Sequence, residues 1–257
     1  MTDLKYRRKK DKIRLVKAFF CLGGEKIMKT FLFDLDDTII NLNWPVFEKR
    51  YYGGLAESFC DLMPKEKVGE YIYQSYRYMV EVVDGQTNKA KFYDKMQELS
   101  GVDKAILIKR EPTYYLDHYD ELQPITTVNA DMVAAVKTLK TKGYRLILAS
   151  QPVFPSIATR KRLAWAGLNE AIFDKITTFE SECASKPDLA YYRNLLTEFD
   201  LKPEDCIMVG NDRAEDMIAT ELGISGILIT DVLFDSADTY PCIEMTAKQF
   251  REYVESL

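Results

Sequence analysis

Short apolar runs alternate with helical patterns along most of the chain, and this alternation restricts the fold more than any other feature of the sequence. The apolar runs are typical of buried strands, and they cover Lys29–Leu35, Arg145–Ala149, Ile172–Thr178, Cys206–Val209 and Gly226–Thr230. The helical patterns cover Ala130–Lys142, Pro155–Ala166, Pro187–Phe199, Ala214–Leu222 and a closing segment, Thr246–Val254. This order predicts an α/β fold, in which helices cover both faces of a doubly wound parallel sheet.

One stretch, residues 42–124, interrupts the alternation because it contains helical patterns and no convincing strand. These patterns cover Val46–Met63, Lys65–Val83, Ala90–Leu99 and Pro112–Tyr119. The stretch is rich in tyrosine, and we interpret most of these side chains as packing residues, with one or two facing an active site. We therefore expect an inserted helical cap at 42–124 and a core formed by 28–41 and 125–257.

Residues 1–27 differ in charge from the rest of the chain. They carry a net charge of +6 within a total of −5, so the remainder is strongly acidic. An acidic body is poorly suited to duplex nucleic acid, whose binding requires a basic surface, and we expect no nucleic-acid partner. We interpret 1–27 as a basic N-terminal extension, and one hypothesis makes it a non-native leader upstream of a start at Met28.

Cellular location is indicated by apolar runs and cysteines. No apolar run approaches the roughly 20 residues that span a bilayer, so we expect no membrane role. The five cysteines are odd in number, widely spaced and free of any C-x-x-C pair. This pattern argues against a disulfide framework or a zinc site, and it favours a protein of the reducing cytoplasm.

Three acids, Asp34, Asp36 and Asp37, follow the first apolar run. Carboxylates crowded at the end of a strand repel one another, and a hard divalent cation among their oxygens makes the crowding favourable. Mg²⁺ prefers carboxylates together with substrate phosphate and water. The acids therefore predict a magnesium site, with an acidic turn or a helix cap as the alternative.

Four further polar residues follow later strands or begin helices. They are Ser150, Lys186, Asp212 and Asp216. Taken singly, each has an ordinary structural explanation as a turn residue, a solvated charge or a helix-capping acid. Active sites of parallel α/β sheets lie beyond the carboxyl ends of the strands, which is where all of these residues are expected.

At this point the sequence resembles the haloacid dehalogenase superfamily, whose four motifs occur in this order. The matching segments are Phe33-Asp34-Leu35-Asp36-Asp37-Thr38, Ser150, Ser185-Lys186-Pro187 and Gly210-Asn211-Asp212-Arg213-Ala214-Glu215-Asp216. The resemblance extends over the whole chain from Met28, and the helical insert matches the family's C1 cap position. It implies a Rossmannoid core and a hydrolase that removes phosphate from small organic phosphomonoesters with Mg²⁺ as cofactor.

The resemblance also implies roles for individual residues. Asp34 would be the nucleophile that forms an acyl phosphate, and Asp36 would be the general acid and then the general base. The Asp34 carboxylate and the Asp36 backbone carbonyl would bind Mg²⁺, together with Asp212 and, in one arrangement, Asp216. The phosphate would be bound by Ser150 and by the catalytic residue Lys186, whose cation offsets its charge.

Two departures from the family pattern touch these assignments. Gln151 stands where an Asn usually follows the second-motif residue, and Asn211 separates Gly210 from Asp212, so that metal ligation could be shared differently. A dehalogenase is disfavoured because that branch lacks the second acid that Asp36 supplies. A phosphomutase with the same core and a non-catalytic binding protein on the same fold are the open alternatives.

Overall fold

The structure is a computed structural model that describes residues 29–257, so the segment 1–27 and the start hypothesis at Met28 lie outside the described residues. The strands are β1 (Thr30–Phe33), β2 (Ile40–Leu42), β3 (Thr126–Val128), β4 (Arg145–Leu148), β5 (Lys175–Ile176), β6 (Cys206–Gly210), β7 (Ser225–Ile229) and β8 (Cys242–Met245). Six of them form a parallel sheet in the order β5-β4-β1-β6-β7-β8. The predicted α/β class with a parallel sheet is confirmed.

The central strand β1 explains why the sheet is covered on both faces. All four of its residues are buried, as expected for a parallel strand between two layers of helices. Phe31 and Phe33 pack into one apolar cluster, whereas Leu32 packs into another on the opposite face with Ile147 and Met208. The alternation of side chains along the strand thus anchors β1 in both halves of the core.

Eight α-helices surround the sheet or form the insert in the described part of the chain. They are α1 (Trp44–Glu57), α2 (Lys65–Glu81), α3 (Asn88–Ser100), α4 (Lys104–Asp117), α5 (Ala130–Thr141), α6 (Ser156–Trp165), α7 (Leu189–Glu198) and α8 (Ala247–Glu255). Side-chain caps fix several N-termini. Asn129 accepts a hydrogen bond from the Met132 N–H, and Thr246 forms a capping box with Gln249 before α8.

Helices α1 to α4 lie between β2 and β3 and pack around their own apolar cluster, which includes Phe47, Ile72 and Met96. Strands β2 and β3 pair antiparallel, with Ile40 opposite Val128 and Leu42 opposite Thr126. The chain therefore enters and leaves the insert through one short ladder. The division into a cap at 42–124 and a core at 28–41 and 125–257 stays a prediction.

Several elements differ from the sequence-based expectation. The last insert helix begins at Lys104 and carries Pro112 in its interior, although proline's preference for the first turn suggested a start there. Ile172–Thr178 contains only the two-residue strand β5, because residues Glu170–Ile172 form a 3₁₀ turn that Asn169 caps. Strand β8 extends the sheet edge and was not predicted.

The prediction of an α-helix at Ala214–Leu222 is also wrong. The segment begins with turns and continues as a 3₁₀ helix, Met217–Leu222. Its first backbone N–H groups, those of Ala214 and Glu215, both donate to the Asp212 carboxylate. The local backbone therefore wraps around a carboxylate before any helix begins.

Within the described residues, Cys60, Cys183, Cys206 and Cys242 are free thiols. Cys21 lies outside the described residues, so the absence of a disulfide framework stays a prediction for the whole chain. No helix in residues 29–257 has the length and apolar character needed to cross a membrane.

Candidate active site

A cavity of about 340 Å³ opens between the sheet and the insert. Strand β1 pairs with both β4 and β6, so the residues that follow these three strands meet at one edge of the sheet. Residues of this edge form one side of the cavity, and residues of α1 and α2 form another. Its lining consists of Asp34, Asp36, Asp37, Trp44, Phe47, Glu48, Tyr51, Tyr52, Tyr76, Gln151, Val153, Phe154, Asn211, Asp212, Glu215, Asp216 and Phe234.

Asp34 lies directly after β1 at this edge. Its backbone N–H donates to the Val209 carbonyl at 2.9 Å, which continues the sheet ladder by one residue. One carboxylate oxygen accepts from Lys186 Nζ at 2.9 Å, and the other lies 3.4 Å from the Thr38 hydroxyl that donates to it. The side chain is thus held in place while it still faces the cavity.

Lys186 is fully buried and bonds two carboxylates, Asp34 at 2.9 Å and Asp216 at 2.6 Å. Burial alone lowers the pKa of Lys186, but Asp216 and Asp34 more than offset this and hold the pKa well above its usual value. The lysine is therefore a permanent cation beside Asp34. Two of the predicted site residues, Lys186 and Asp216, are brought together with Asp34 as one charged cluster.

Gly210, the last residue of β6, makes room for this cluster. A Cβ atom at position 210 would lie 2.0 Å from Asp216 Oδ2. Every other residue type would therefore displace the carboxylate that pairs with Lys186. The glycine is required by a close approach and not by its backbone angles.

Gln151 holds the backbone of Lys186. Its Nε2 donates to the Lys186 carbonyl at 2.9 Å, and its Oε1 accepts from the Lys186 N–H at 3.0 Å. Nε2 also lies 3.1 Å from Glu215 Oε1, to which it donates. The residue that departs from the family pattern thus positions the lysine, a role that the sequence did not indicate.

Asp36 is partly buried in the lining of the cavity, with 13% of its side chain exposed. Burial raises the pKa of Asp36 to about 6, although the nearby Arg162 cation lowers it; the charges of Asp34 and Asp37 raise it further. A carboxyl group with a pKa near neutrality can both donate and accept a proton under physiological conditions. This is the property that the predicted acid and base role of Asp36 requires.

Arg162, on α6, is a second residue that the sequence did not indicate. It is fully buried, its Nη1 lies 3.4 Å from Asp36 Oδ2, and its guanidinium carbon lies 4.1 Å from the centre of the Phe154 ring. Arginine in an amphipathic helix usually points to solvent, so no pattern distinguishes this one. Only the fold shows that it offsets the charge of Asp36.

The third acid of the first motif, Asp37, has a structural role. Its φ of 55° is in the left-handed region, where Asp is tolerated better than most residues. Its carboxylate accepts from the Leu42 N–H at 2.8 Å and from Trp44 Nε1 at 2.5 Å. Asp37 therefore fixes the turn and the first residue of α1 relative to the sheet edge.

The fourth-motif residues Asp212 and Asn211 have different hydrogen-bond partners. Asp212 Oδ1 accepts from the N–H groups of Ala214 and Glu215, each at 2.8 Å, while Asp212 also lines the cavity. Asn211 Oδ1 accepts from the Thr38 hydroxyl at 3.0 Å. Because that hydroxyl also contacts Asp34, Asn211 lies closer to the nucleophile position than the sequence alone indicated.

Ser150 follows β4 and is buried. Its carbonyl accepts hydrogen bonds from the Thr177 hydroxyl at 2.8 Å and from the Tyr191 hydroxyl at 3.0 Å. These contacts fix the backbone at the end of the strand. Binding of phosphate by the Ser150 side chain stays a prediction.

Comparison with known proteins gives two sequence findings. A family model described as haloacid dehalogenase-like hydrolase matches residues 28–221. The chain is also 25% identical over 219 residues to a glyceraldehyde 3-phosphate phosphatase of Methanothermobacter thermautotrophicus, covering 82% of this chain and 89% of that protein.

Solved structures agree with the fold. A phosphatase of Thermococcus onnurineus matches with a TM-score of 0.53 at 20% identity, over 88% of this chain and 97% of that one. A 2-haloacid dehalogenase of Pseudomonas syringae matches with a TM-score of 0.57 at 14% identity, over 89% of this chain and 99% of that one. Because a dehalogenase and a phosphatase match about equally well, these likenesses show the fold and leave the reaction to the site.

Proposed function

The chain belongs to the family of haloacid dehalogenase-like hydrolases, and from this membership we propose that it hydrolyses small organic phosphomonoesters through an aspartyl phosphate on Asp34. The observation that carries the proposal is the Asp34 carboxylate, which faces the cavity with Lys186 Nζ at 2.9 Å. The relative named as a glyceraldehyde 3-phosphate phosphatase supports a phosphate ester as the substrate class. Asp36, which a dehalogenase would lack, supports a phosphate ester rather than a haloacid as the substrate.

We propose Mg²⁺ as the cofactor. Within residues 29–257, no three His, Cys, Asp or Glu side chains are arranged to bind a metal without other ligands. Mg²⁺ does not need such a cluster, because it is usually held by one or two carboxylates together with substrate phosphate and water. The ligands would be the Asp34 carboxylate, the Asp36 backbone carbonyl and one side chain of the fourth motif. When bound, the ion supplies positive charge beside the phosphate.

The fourth-motif ligand is the least defined part of this donor set. Asp212 and Asp216 were expected from the sequence, but Asp216 bonds Lys186 and Asp212 Oδ1 binds two backbone N–H groups. The Asn211 amide oxygen is adjacent through the Thr38 hydroxyl. We propose that Asn211 shares the metal with Asp212, while Asp216 serves chiefly to hold Lys186.

In the first half of the reaction, an Asp34 oxygen attacks phosphorus and the bond from phosphorus to the ester oxygen breaks. The departing oxygen takes a proton from Asp36, so the alcohol leaves uncharged. Lys186 stays close to the Asp34 carboxylate and the phosphoryl oxygens throughout, where its cation offsets their mutual repulsion. The products of this half are the alcohol and a phosphorylated Asp34.

In the second half, water attacks phosphorus. Asp36, now ionised, accepts a proton from the water, and the bond from phosphorus to Asp34 breaks. Inorganic phosphate leaves, Asp34 is an ionised carboxylate again, and Asp36 is protonated as it was at the start. The pKa of about 6 suits a group that must change its proton twice in each cycle.

Two asparagine substitutions test this scheme because they separate the roles of the two acids. Asp34→Asn removes the nucleophile, so no phosphoenzyme should form with any substrate. Asp36→Asn keeps the nucleophile but removes proton transfer, which contributes about 10²- to 10⁴-fold in rate. Phosphoenzyme should therefore accumulate in Asp36→Asn and appear as a phosphate adduct in intact-mass spectrometry.

The leaving group sharpens the same experiment. Alkyl phosphates, whose alkoxide needs a proton, should suffer more in Asp36→Asn than p-nitrophenyl phosphate, whose phenolate does not. Equal losses on both substrates, with no trapped phosphate, would contradict the acid and base role. A product that is an isomer of the substrate, with no phosphate released, would instead identify a phosphomutase.

A further inference from the structure

The walls of the cavity carry information about the alcohol half of the substrate. From them we infer that the site selects phosphomonoesters whose alcohol carries a planar aromatic ring and no negative charge. This inference rests on the proposed phosphatase function and narrows it to a substrate class. It follows from three observations, which concern the charges, the rings and the size of the cavity.

The charged residues that line the cavity are all acidic. None of the described residues that line the cavity is Lys, Arg or His, whereas Glu48 from α1 and the aspartates of the sheet edge all line it. The two nearby cations do not line the cavity: Lys186 bonds Asp34 and Asp216, and Arg162 is fully buried with its Nη1 3.4 Å from Asp36 Oδ2. A second anionic group on the substrate would therefore meet carboxylates and lose its water without gaining a cation.

The apolar part of the lining is aromatic. Trp44 packs edge-on against Phe47 at 5.7 Å and against Phe234 at 6.5 Å between ring centres, and Tyr51 packs edge-on against Phe154 at 5.3 Å. Phe47 and Tyr51 are buried and hold this wall together. The outer rings stay partly accessible, with Tyr52 40% and Phe234 45% exposed.

Accessible rings fixed by buried rings form a surface on which another ring can stack or pack edge-on. Such contacts contribute more than their buried area alone. A flexible aliphatic alcohol would cover the same rings with less contact. Where a substrate ring carries N–H or O–H groups, oxygen atoms of Glu48 and Glu215 in the lining can accept hydrogen bonds from them.

The size of the cavity agrees with a single ring system. Its volume of about 340 Å³ lies at the small end of the range for small-molecule sites. One ring joined to a phosphate by a short link fits this space. The relative named for glyceraldehyde 3-phosphate acts on an uncharged alcohol without a ring, so that compound separates the charge requirement from the ring requirement.

The test uses four matched esters: benzyl phosphate, 4-carboxybenzyl phosphate, 4-(aminomethyl)benzyl phosphate and cyclohexylmethyl phosphate. We expect kcat/KM for benzyl phosphate to exceed that of the carboxylated ester by about tenfold or more, because a carboxylate would face Glu48 and the aspartates of the sheet edge. The aminomethyl ester should be at least as good as benzyl phosphate. The cyclohexyl ester and glyceraldehyde 3-phosphate should be about 2- to 10-fold worse, since ring contacts contribute about 0.5–1.5 kcal/mol.

Two variants connect these preferences to the walls. Glu48→Gln should improve the carboxylated ester relative to benzyl phosphate, whereas Glu57→Gln, which removes the same charge from an exposed site on α1, should leave the ratio unchanged. Phe234→Leu should reduce the advantage of benzyl over cyclohexylmethyl phosphate. Because Phe234 is 45% exposed, this substitution leaves the buried rings intact.

Acetyl phosphate and a binding measurement separate this inference from the proposed function. Hydrolysis of acetyl phosphate without any preference for benzyl over carboxylated or cyclohexyl esters would overturn the inference and leave the phosphatase proposal intact. If no ester is hydrolysed, the phosphatase proposal fails, and calorimetry with Mg²⁺ and benzylphosphonate or 4-carboxybenzylphosphonate still decides the inference. Tighter binding of benzylphosphonate supports it, and equal or weaker binding contradicts it.

Discussion

The two walls of the cavity are built on different principles. On the wall at the sheet edge, polar groups hold one another at fixed distances, as Lys186 holds Asp34 and Asp216 and as Gln151 holds Lys186. On the wall formed by the insert, rings pack edge-on and the outer ones stay partly exposed. The first wall depends on individual atoms, whereas the second depends on shape. Substitutions should therefore be more damaging at the sheet edge than on the insert.

The largest effect is expected for Lys186→Met. The change leaves two carboxylates facing each other without a cation, and the loss of one such electrostatic contact lowers kcat by about 10²- to 10³-fold. Steady-state kinetics on a folded sample, checked by circular dichroism, measures it. Lys175→Met is the matched control, because Lys175 also pairs with two carboxylates, Glu182 and Glu198, away from the cavity. Equal losses in both variants would show that Lys186 has only a structural role.

The next largest effect is expected for Gly210→Ala, which should lower the free energy of unfolding. The added methyl group would lie 2.0 Å from Asp216 Oδ2, and overpacking of a tight site lowers the free energy of unfolding by about 1–3 kcal/mol or more. Urea denaturation measures this change. Gly53→Ala, on α1 with nothing within 4 Å, should instead stabilise the protein by up to about 1 kcal/mol. If both substitutions stabilise, the sheet edge is less tightly packed than described.

A pH-dependent difference is expected for Glu215, which belongs to the sheet-edge wall. Burial raises the pKa of Glu215 to about 8, with Lys186 lowering it and Asp212 and Asp216 raising it. Because the folded state binds the proton more tightly than the unfolded chain, this group's contribution to stability falls as pH rises from about 4.5 to 8.

Glu215→Gln removes this contribution. When the pH is raised from 5 to 9 without divalent cations, the free energy of unfolding of the variant should rise by about 4 kcal/mol relative to that of the native protein. Urea denaturation at the two pH values tests it. Glu66→Gln removes an exposed acid from α2 and should track the native protein at both. A difference that does not change with pH would contradict burial of an ionisable Glu215.

The smallest effect is expected for Gln151→Ala. Two hydrogen bonds to the Lys186 backbone are lost, and each contributes about 0.5–1.5 kcal/mol net. Activity should fall by about tenfold while the protein stays folded, because the ion pairs of Lys186 remain. Gln151→Glu keeps the acceptor for the Lys186 N–H but loses the donor to its carbonyl, so it should retain part of the activity. If the activity of Gln151→Ala is unchanged, Gln151 does not position Lys186 and is an ordinary turn residue.

The same contrast explains what the sequence could predict. Asp34, Asp36 and Lys186 were identifiable because they match the family's motifs and are expected beyond the carboxyl ends of parallel strands, which meet at one edge of the sheet. Gly210 was visible only as part of a motif, and its reason, the approach of Asp216, needed coordinates.

Two other residues could not have been found in this way. Gln151 looked like a departure from the family pattern, because a hydrogen bond to the backbone of Lys186 leaves no trace in the identity of the partner. Arg162 lies in a helical pattern, where arginine usually points to solvent, but it is fully buried beside Asp36. The aromatic wall was likewise only a tyrosine-rich segment, since which rings face inward depends on how the helices of the insert pack against one another.

The short ladder of β2 and β3 determines how easily the insert can be lengthened or replaced. Since Leu42 lies opposite Thr126, the two ends of the insert are already neighbours, and a tight turn between them would close the core without changing the order of the sheet. Lengthening or exchanging the insert changes the entropic cost of folding only slightly, because the entropy lost on closing a loop depends weakly on the length of the loop. The insert can therefore be lengthened or replaced while the order of the sheet, and with it the edge that carries Asp34, stays the same.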